Sequence, residues 1–187
     1  MTAEELVAVY GDKVYTLALR LTGNPADAQD LAQDSLVRAV RGLDKFRGDA
    51  DPGTWVYRIT VNTWKNRVRS EKRRFFWKTV SLDAPDPEGE DDAGAARQLA
   101  DGQPPLERNM EQDEAKRAVE SALSLMDPED KALLVLRDLE DRSYEDIAGI
   151  LEVPVGTVKS RLSRARDQLR VRLKPFMEGK ATKRHDA

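Results

Sequence analysis

The chain has 187 residues, room for one large domain or two small ones, and its 40% apolar, 6% aromatic and 35% charged make-up suits helical bundles better than a sheet-rich enzyme core. Cysteine is absent and the one histidine, His185, lies in a polar stretch near the C-terminus, which excludes disulfides, thiolate metal sites and histidine-based catalysis or metal binding. The net charge of −3 conceals an uneven distribution: residues 1–77 carry +3, residues 78–115 carry −8 and residues 116–187 carry +2.

No apolar run approaches the roughly 20 residues that cross a bilayer, and the opening MTAEELVAVY carries acids where a secretory signal carries lysines. A soluble, cytoplasmic chain without a cofactor, a metal or a small-molecule substrate is expected, in a reducing compartment.

Leu6, Val9, Val14, Leu17 and Leu21 recur at helical intervals and predict a first helix with a buried stripe. Gly23-Asn24-Pro25 then stops it and starts another: Asn24 caps, Pro25 suits the first turn, and Asp27 favours the positive helix end. Leu31, Leu36, Val37, Val40 and Leu43 predict the core side of that second helix, which ends near Gly42 to Asp44. On its other side Asp27, Asp30 and Asp34 fall at i, i+3 and i+7 with Gln33 beside them. Such a face is a solvated surface, a protein docking site or, with further ligands that this sequence lacks, a metal site.

The loop FRGDADPG leads to a third helix, predicted from Thr54 to Lys72. Val56, Ile59, Thr60 and Thr63 share one face of it, and Asn62, Asn66, Arg69 and Arg73 share another. Arg58–Arg74 holds seven basic residues and one acid, with Trp55, Tyr57 and Trp64 interleaved. Aromatic rings stack on unpaired bases while Arg and Lys follow the backbone, so the mixture suits single-stranded DNA; the alternative is core aromatics under a solvated basic face.

VSLDAPDPEGEDDAGAARQLADGQPPLE has few large apolar residues, cannot offset its ordering entropy by burial, and reads as a linker. Beyond it, Asp127-Pro128-Glu129-Asp130 starts a helix, and Ser143 with Asp146 caps the next. Val153-Pro154 makes a tight turn. Val158, Leu162, Ala165, Leu169 and Leu173 then form a buried stripe, opposite Lys159, Ser160, Ser163 and Arg164, with Arg161 and Arg166 flanking. Ala148 is small where a second helix crosses. This is the logic of a helix-turn-helix, in which Arg and Ser near the start of the second helix meet base edges, and Lys159 and Arg161 suit phosphates. Glu152 stands where many such turns carry Gly. Alternating strand patterns are absent, so the expected fold class is all-α.

Three blocks taken together, DAQDLAQDSLVRAVRGLDKFRG, TWVYRITVNTWKNRVRSEKRR and the stretch from Asp127 to Lys174 containing PVGTVKSRLSRARDQL, resemble the sigma-70 family of RNA polymerase specificity factors. The resemblance is to the compact extracytoplasmic-function group, which keeps only the second and fourth conserved domains. It implies domain 2 at residues 1–77, an acidic linker at 78–114, domain 4 at 115–176 and a flexible tail at 177–187. Asp30, Gln33 and Asp34 then fall on the face that docks the coiled coil of the polymerase largest subunit. Arg47 and the loop to Thr54, with Trp55, Asn62, Lys65, Asn66 and Arg69 on the following helix, fall where the −10 element is opened and read as single strand. Lys159, Ser160, Arg161, Ser163, Arg164 and Arg166 fall on the helix that reads the −35 duplex, Ser163 departing from members with an aromatic there. The acidic linker resembles the segment that threads polymerase channels, where an acidic chain imitates nucleic acid. The implied partners are core RNA polymerase, promoter DNA and an anti-sigma factor. Two other readings stand beside this one: a stand-alone helix-turn-helix regulator, and a carboxylate-dependent hydrolase using the Asp27–Asp34 face.

Overall fold

A computed structural model of the chain describes residues 1–46, 48, 51–80 and 107–183. Every regular element among them is helical: α1 (Ala3–Thr22), α2 (Pro25–Gly42), α3 (Pro52–Val80), α4 (Glu107–Ser124), α5 (Pro128–Leu134), α6 (Tyr144–Leu151) and α7 (Val155–Lys183). The fold class is all-α, as expected. The middle of the acidic segment, 81–106, lies outside the described residues, while helices reach into it from both sides as far as Val80 and Glu107.

Local chemistry sets the helix ends. Thr2 and Glu5 form a reciprocal capping box at the start of α1, and Gly23, at φ +75°, closes its other end by donating its N–H to the Leu19 carbonyl. The Asn24 side chain accepts from the N–H groups of Ala26 and Asp27, with Pro25 at the first position of α2. Asp127 caps α5 ahead of Pro128, and Ser143 and Asp146 form a second capping box on α6.

Leu6, Val14, Leu17 and Leu21 of α1 are fully buried against Ala28, Leu31 and Ala39 of α2 and Val56 and Val61 of α3. Each such leucine contributes about 1.5–3 kcal/mol of transfer free energy. The alanines of α2 let the helix axes come close, and the hydroxyls of Ser35, Thr60 and Thr63 donate to the carbonyl four residues back, so they enter the core satisfied. Two expected core residues face solvent instead: Val9 and Val37 are exposed, while Leu6 near Val9 and Ser35 and Ala39 near Val37 are buried. At 3.6 residues per turn Val9 falls beside the stripe of Leu6, Val14, Leu17 and Leu21, and Val37 falls opposite that of Ala28, Leu31, Ser35 and Ala39.

Two helix ends also differ from expectation. The third helix continues past Lys72 to Val80. The last one runs through Pro175 to Lys183, where a flexible tail was expected, and a Lys174–Glu178 pair at 3.6 Å bridges the proline. Residues 184–187 lie outside the described residues.

α3 is central to the whole assembly, packing against α1 and α2 on one side and against α5 and α6 on the other. Buried side chains of both halves therefore belong to one continuous cluster. Gly149 of α6 lies so close to α3 that a Cβ added there meets the Thr54 methyl at 3.1 Å. A π-helical turn, Val135–Leu139, follows α5 and brings Glu140 against α1 and α3.

Candidate nucleic-acid interface

The acidic row on α2 is exposed at Asp27, Asp30, Gln33 and Asp34. One member is anchored from below. Arg67 of α3 donates to the Asp34 carboxylate at 2.7 Å and to the Asp30 carbonyl at 3.0 Å. The face is therefore solvent-accessible yet held against α3, a combination that suits docking of another protein.

On α3 itself, Asn62, Asn66, Arg69 and Arg73 are all exposed, so the predicted polar face forms. The aromatics divide differently from the single-strand reading. Tyr57 is 1% and Trp64 5% exposed, so neither ring is available to a base. The spacing explains this: Tyr57, Val61, Trp64 and Val68 follow i, i+4, i+7 and i+11, a second apolar stripe beside Val56, Thr60 and Thr63. Trp55 alone of the three is half-exposed, tilted on Phe46 with ring centroids 4.8 Å apart. Gly42 permits that position, since a Cβ there meets the Trp55 ring at 3.2 Å. Arg47 lies outside the described residues.

α6 and α7 form the expected helix-turn-helix. Ile147 and Ile150 of α6 are buried with Val158, Leu162 and Ala165 of α7, and the Pro154 carbonyl accepts from Thr157 and Val158 as α7 begins. Glu152 adopts φ +57°, the left-handed conformation for which Gly is usual. Lys159, Ser160, Ser163 and Arg164 all project outward. Arg161 and Arg166 turn back onto the chain. Arg161 pairs with Glu129 at 2.8 Å, and Arg166 holds Asp138 through two nitrogens, one of them donating at 3.1 Å.

The carboxylates that receive these cations were not legible as site residues. Glu129 faces three of them: Lys65 at 3.2 Å, Arg69 at 3.5 Å and Arg161 at 2.8 Å. The hydrogen bond from Lys65 holds its carboxyl below the ordinary value of 4.5, against an opposing effect of burial. Glu140 accepts from Arg20 at 2.7 Å and from the Tyr57 hydroxyl at 2.9 Å, while the Arg142 guanidinium lies 4.1 Å above the Tyr57 ring. In sequence Glu129 is an acid in a first helical turn, and no spacing links it to residues 64 positions earlier or 32 later. A cleft of about 440 Å³ beside this seam is lined by Trp64, Arg67, Lys72, Leu125, Met126 and Lys131. No group of three metal-ligating side chains occurs among the described residues.

Comparison with known proteins agrees with this architecture. Residues 6–74 match the family model for Sigma-70 region 2, and residues 116–169 match that for Sigma-70, region 4. The chain is 38% identical over 173 residues to the RNA polymerase sigma-H factor of Pseudomonas aeruginosa, covering 92% of this chain and 86% of that protein. It is 34% identical over 172 residues to the ECF RNA polymerase sigma-E factor of Escherichia coli K12, with the same coverage, 92% and 86%. Among solved structures, CnrH in complex with the cytosolic domain of CnrY superposes with a TM-score of 0.62 at 23% identity, covering 92% and 88% of the two chains. The sigma factor RpoE in complex with the anti-sigma factor NepR from Bartonella quintana gives 0.59 at 24% identity, covering 91% and 96%. At these identities the two structures speak to the fold.

Proposed function

The chain belongs to the sigma-70 family of RNA polymerase sigma factors, in its extracytoplasmic-function group, and from that premise we propose how its residues divide the work. A sigma factor binds core RNA polymerase, recognises promoter DNA and promotes transcription initiation. Here residues 1–77 grip polymerase and handle the −10 element, residues 78–114 span the distance, and residues 115–176 read the −35 element.

Asp30, Gln33 and Asp34 dock the polymerase largest subunit, with Arg67 as the positioning residue behind them. Lys159, Ser160, Ser163 and Arg164 enter the major groove of the −35 duplex, where bidentate Arg contacts to guanine discriminate by about 1–3 kcal/mol each. Arg161 and Arg166 join once their carboxylates release them. Melting costs about 1.4 kcal/mol per base-pair step in stacking. Capture of an extruded base offsets part of that, by about 1–3 kcal/mol per stacked ring. With Tyr57 and Trp64 buried, the capturing set on α3 is Trp55, Asn62 and Asn66, with Lys65 and Arg69 on phosphates. The chain makes and breaks no bond itself, acts in the cytoplasm, and is held in check by an anti-sigma factor, as the complexes of the related folds suggest.

One observation supports this division above the others: two outward polar faces, Asn62, Asn66 and Arg69 on α3 and Lys159, Ser160, Ser163 and Arg164 on α7, each lying opposite a buried stripe of its own helix. Run-off transcription with core polymerase on genomic fragments tests it. Discrete start sites sharing two spaced elements are expected; a chain that binds duplex tightly without polymerase, and yields no transcript with it, is a stand-alone regulator instead.

A further inference from the structure

The cleft of about 440 Å³ has a chemical character of its own. Its walls come from the end of α1, the first turn of α2, the middle of α3 and the connection between α4 and α5. A cavity of this size takes small organic ligands, and such sites are mostly apolar with a few placed polar groups. Trp64, Val68, Leu125 and Met126 supply the apolar wall. Leu125 is 70% exposed there, a large apolar side chain that the chain itself leaves uncovered.

Lys131 sets the polarity of the cleft. The residue is 8% exposed and lines the cavity, with its ammonium 5.7 Å from the Trp64 ring centroid. Among the described residues it donates no hydrogen bond and has no carboxylate within ion-pair distance; Glu120 of α4 acts on it only from further away. A buried charge is ordinarily paired, because leaving water without a counter-ion is costly, and this one is not. Arg67, on the same wall, already serves Asp34 and the Asp30 carbonyl. Asp27, Glu71 and Lys72 are exposed around the cleft, two acids against one cation. The cavity therefore offers one uncompensated positive charge beside an apolar wall. That suits a single negative charge on an apolar body. A polyphosphate or a run of nucleic-acid phosphates would bring further charges against Asp27 and Glu71.

We propose that this cleft is a binding site for a small monocarboxylate with an aliphatic or aromatic body, its carboxylate on the Lys131 ammonium and its body against Trp64, Leu125 and Met126. The site goes beyond the promoter-reading surfaces. Of the residues assigned to polymerase or DNA, only Arg67, the positioning residue behind Asp34, borders it. A bound carboxylate supplies the counter-ion that Lys131 lacks, so the ligand stabilises the folded chain as it binds.

Isothermal titration of the full-length chain with octanoate, phenylbutyrate and indolebutyrate tests this, each acid set against its uncharged amide and against pyrophosphate. At least one of the three acids is expected to bind one-to-one, about tenfold or more tighter than its amide or pyrophosphate, and to raise the unfolding temperature. Lys131→Met is expected to weaken that acid by about tenfold or more without lowering the variant's own unfolding temperature, so that the loss is not one of folding. Leu125→Glu, at an exposed position, sets a further negative charge at the cleft and is expected to weaken the acid as well, which keeps the test decisive where Lys131→Met folds poorly. No saturable binding by any of the acids, equal affinity for acid and amide, or binding that neither variant changes overturns the site. Tighter binding of pyrophosphate overturns the monocarboxylate assignment. A capped peptide with one glutamate among leucines that binds where none of the small acids does gives the cleft to a partner protein's side chain and overturns the small ligand. Run-off transcription is read separately, so a failure here is distinct from a failure of the promoter-reading assignments.

Discussion

Arg67 of α3 ties down Asp34 of α2, its guanidinium 2.7 Å from the carboxylate and 3.0 Å from the Asp30 carbonyl one turn earlier. A residue of the −10 helix thus holds the proposed polymerase-docking face in place. Asp34→Lys would bring two cations together and disturb α2 as well as docking. Asp34→Asn keeps an acceptor for Arg67 and removes only the charge. Co-purification with core polymerase is expected to be lost in Asp34→Lys and clearly weakened in Asp34→Asn, with thermal unfolding of Asp34→Asn little changed because the pair is partly exposed. Full polymerase binding by both variants would remove Asp34 from the docking face.

Asn62 and Asn66 are exposed and contribute little to the core. Changing both to Ala is expected to leave stability within about 0.5 kcal/mol. Permanganate reactivity of the −10 region should fall while −35 occupancy by the holoenzyme is kept. Undiminished melting would reassign that face to backbone contacts only.

Lys131 is 8% exposed, lies 5.7 Å from the Trp64 ring, and burial pushes its pKa below the ordinary lysine value of 10.5, with Glu120 opposing. A lowered lysine pKa means the charged form is the costly one in the folded state. That cost is fully present below the folded-state pKa and is relieved as pH rises from there to the unfolded value. Lys131→Met keeps the packing on Trp64 and removes the charge. It is expected to stabilise the chain by about 1 kcal/mol at neutral pH, a Tm increase of about 2–4 °C. The advantage over the parent should narrow in alkaline buffer; a variant less stable at neutral pH would mean the ammonium is net favourable where it sits.

Glu152 ends α6 in a left-handed conformation and pairs with Arg58 at 3.1 Å. Glycine there removes a backbone cost of about 1–2 kcal/mol and forgoes an exposed pair worth about 0–1 kcal/mol. Glu152→Gly is expected to raise the unfolding temperature slightly, whereas Arg58→Ala lowers it slightly or not at all. A Glu152→Gly variant that unfolds earlier would show that the seam contact outweighs the strain.

Acid should loosen the Glu129 contact. The carboxylate faces Lys65 and Arg69 of α3 and Arg161 of α7, with the acids Asp127 and Asp130 beside it on its own segment. Its lowered pKa means that the stabilisation is present above the ordinary value of 4.5 and disappears as pH falls through the folded-state value. The unfolding-temperature difference between the parent and Glu129→Gln should therefore stay constant from neutral pH down to the carboxylate range and shrink below it, and no such shrinkage would mean the contact contributes nothing to stability.

Much of this protein was readable from local order because local chemistry decides it. The Asn24, Asp127 and Ser143 caps act within three residues, and the stripe of Val158, Leu162 and Ala165 needs only the helical period. The outward sets Asn62, Asn66, Arg69 and Lys159, Ser160, Ser163, Arg164 are the complements of such stripes. Periodicity also contained the burial of Tyr57 and Trp64, through a second stripe on α3 that a reading for base-stacking aromatics passes over. What required tertiary structure was every charge pairing across the seam. Coulombic partners are chosen by proximity in space, and Glu129 meets Lys65, Arg69 and Arg161 only because α3 packs on both halves of the chain. The basic character of α3 and α7 was a property of the sequence; which of those cations are free to meet DNA was decided by the fold.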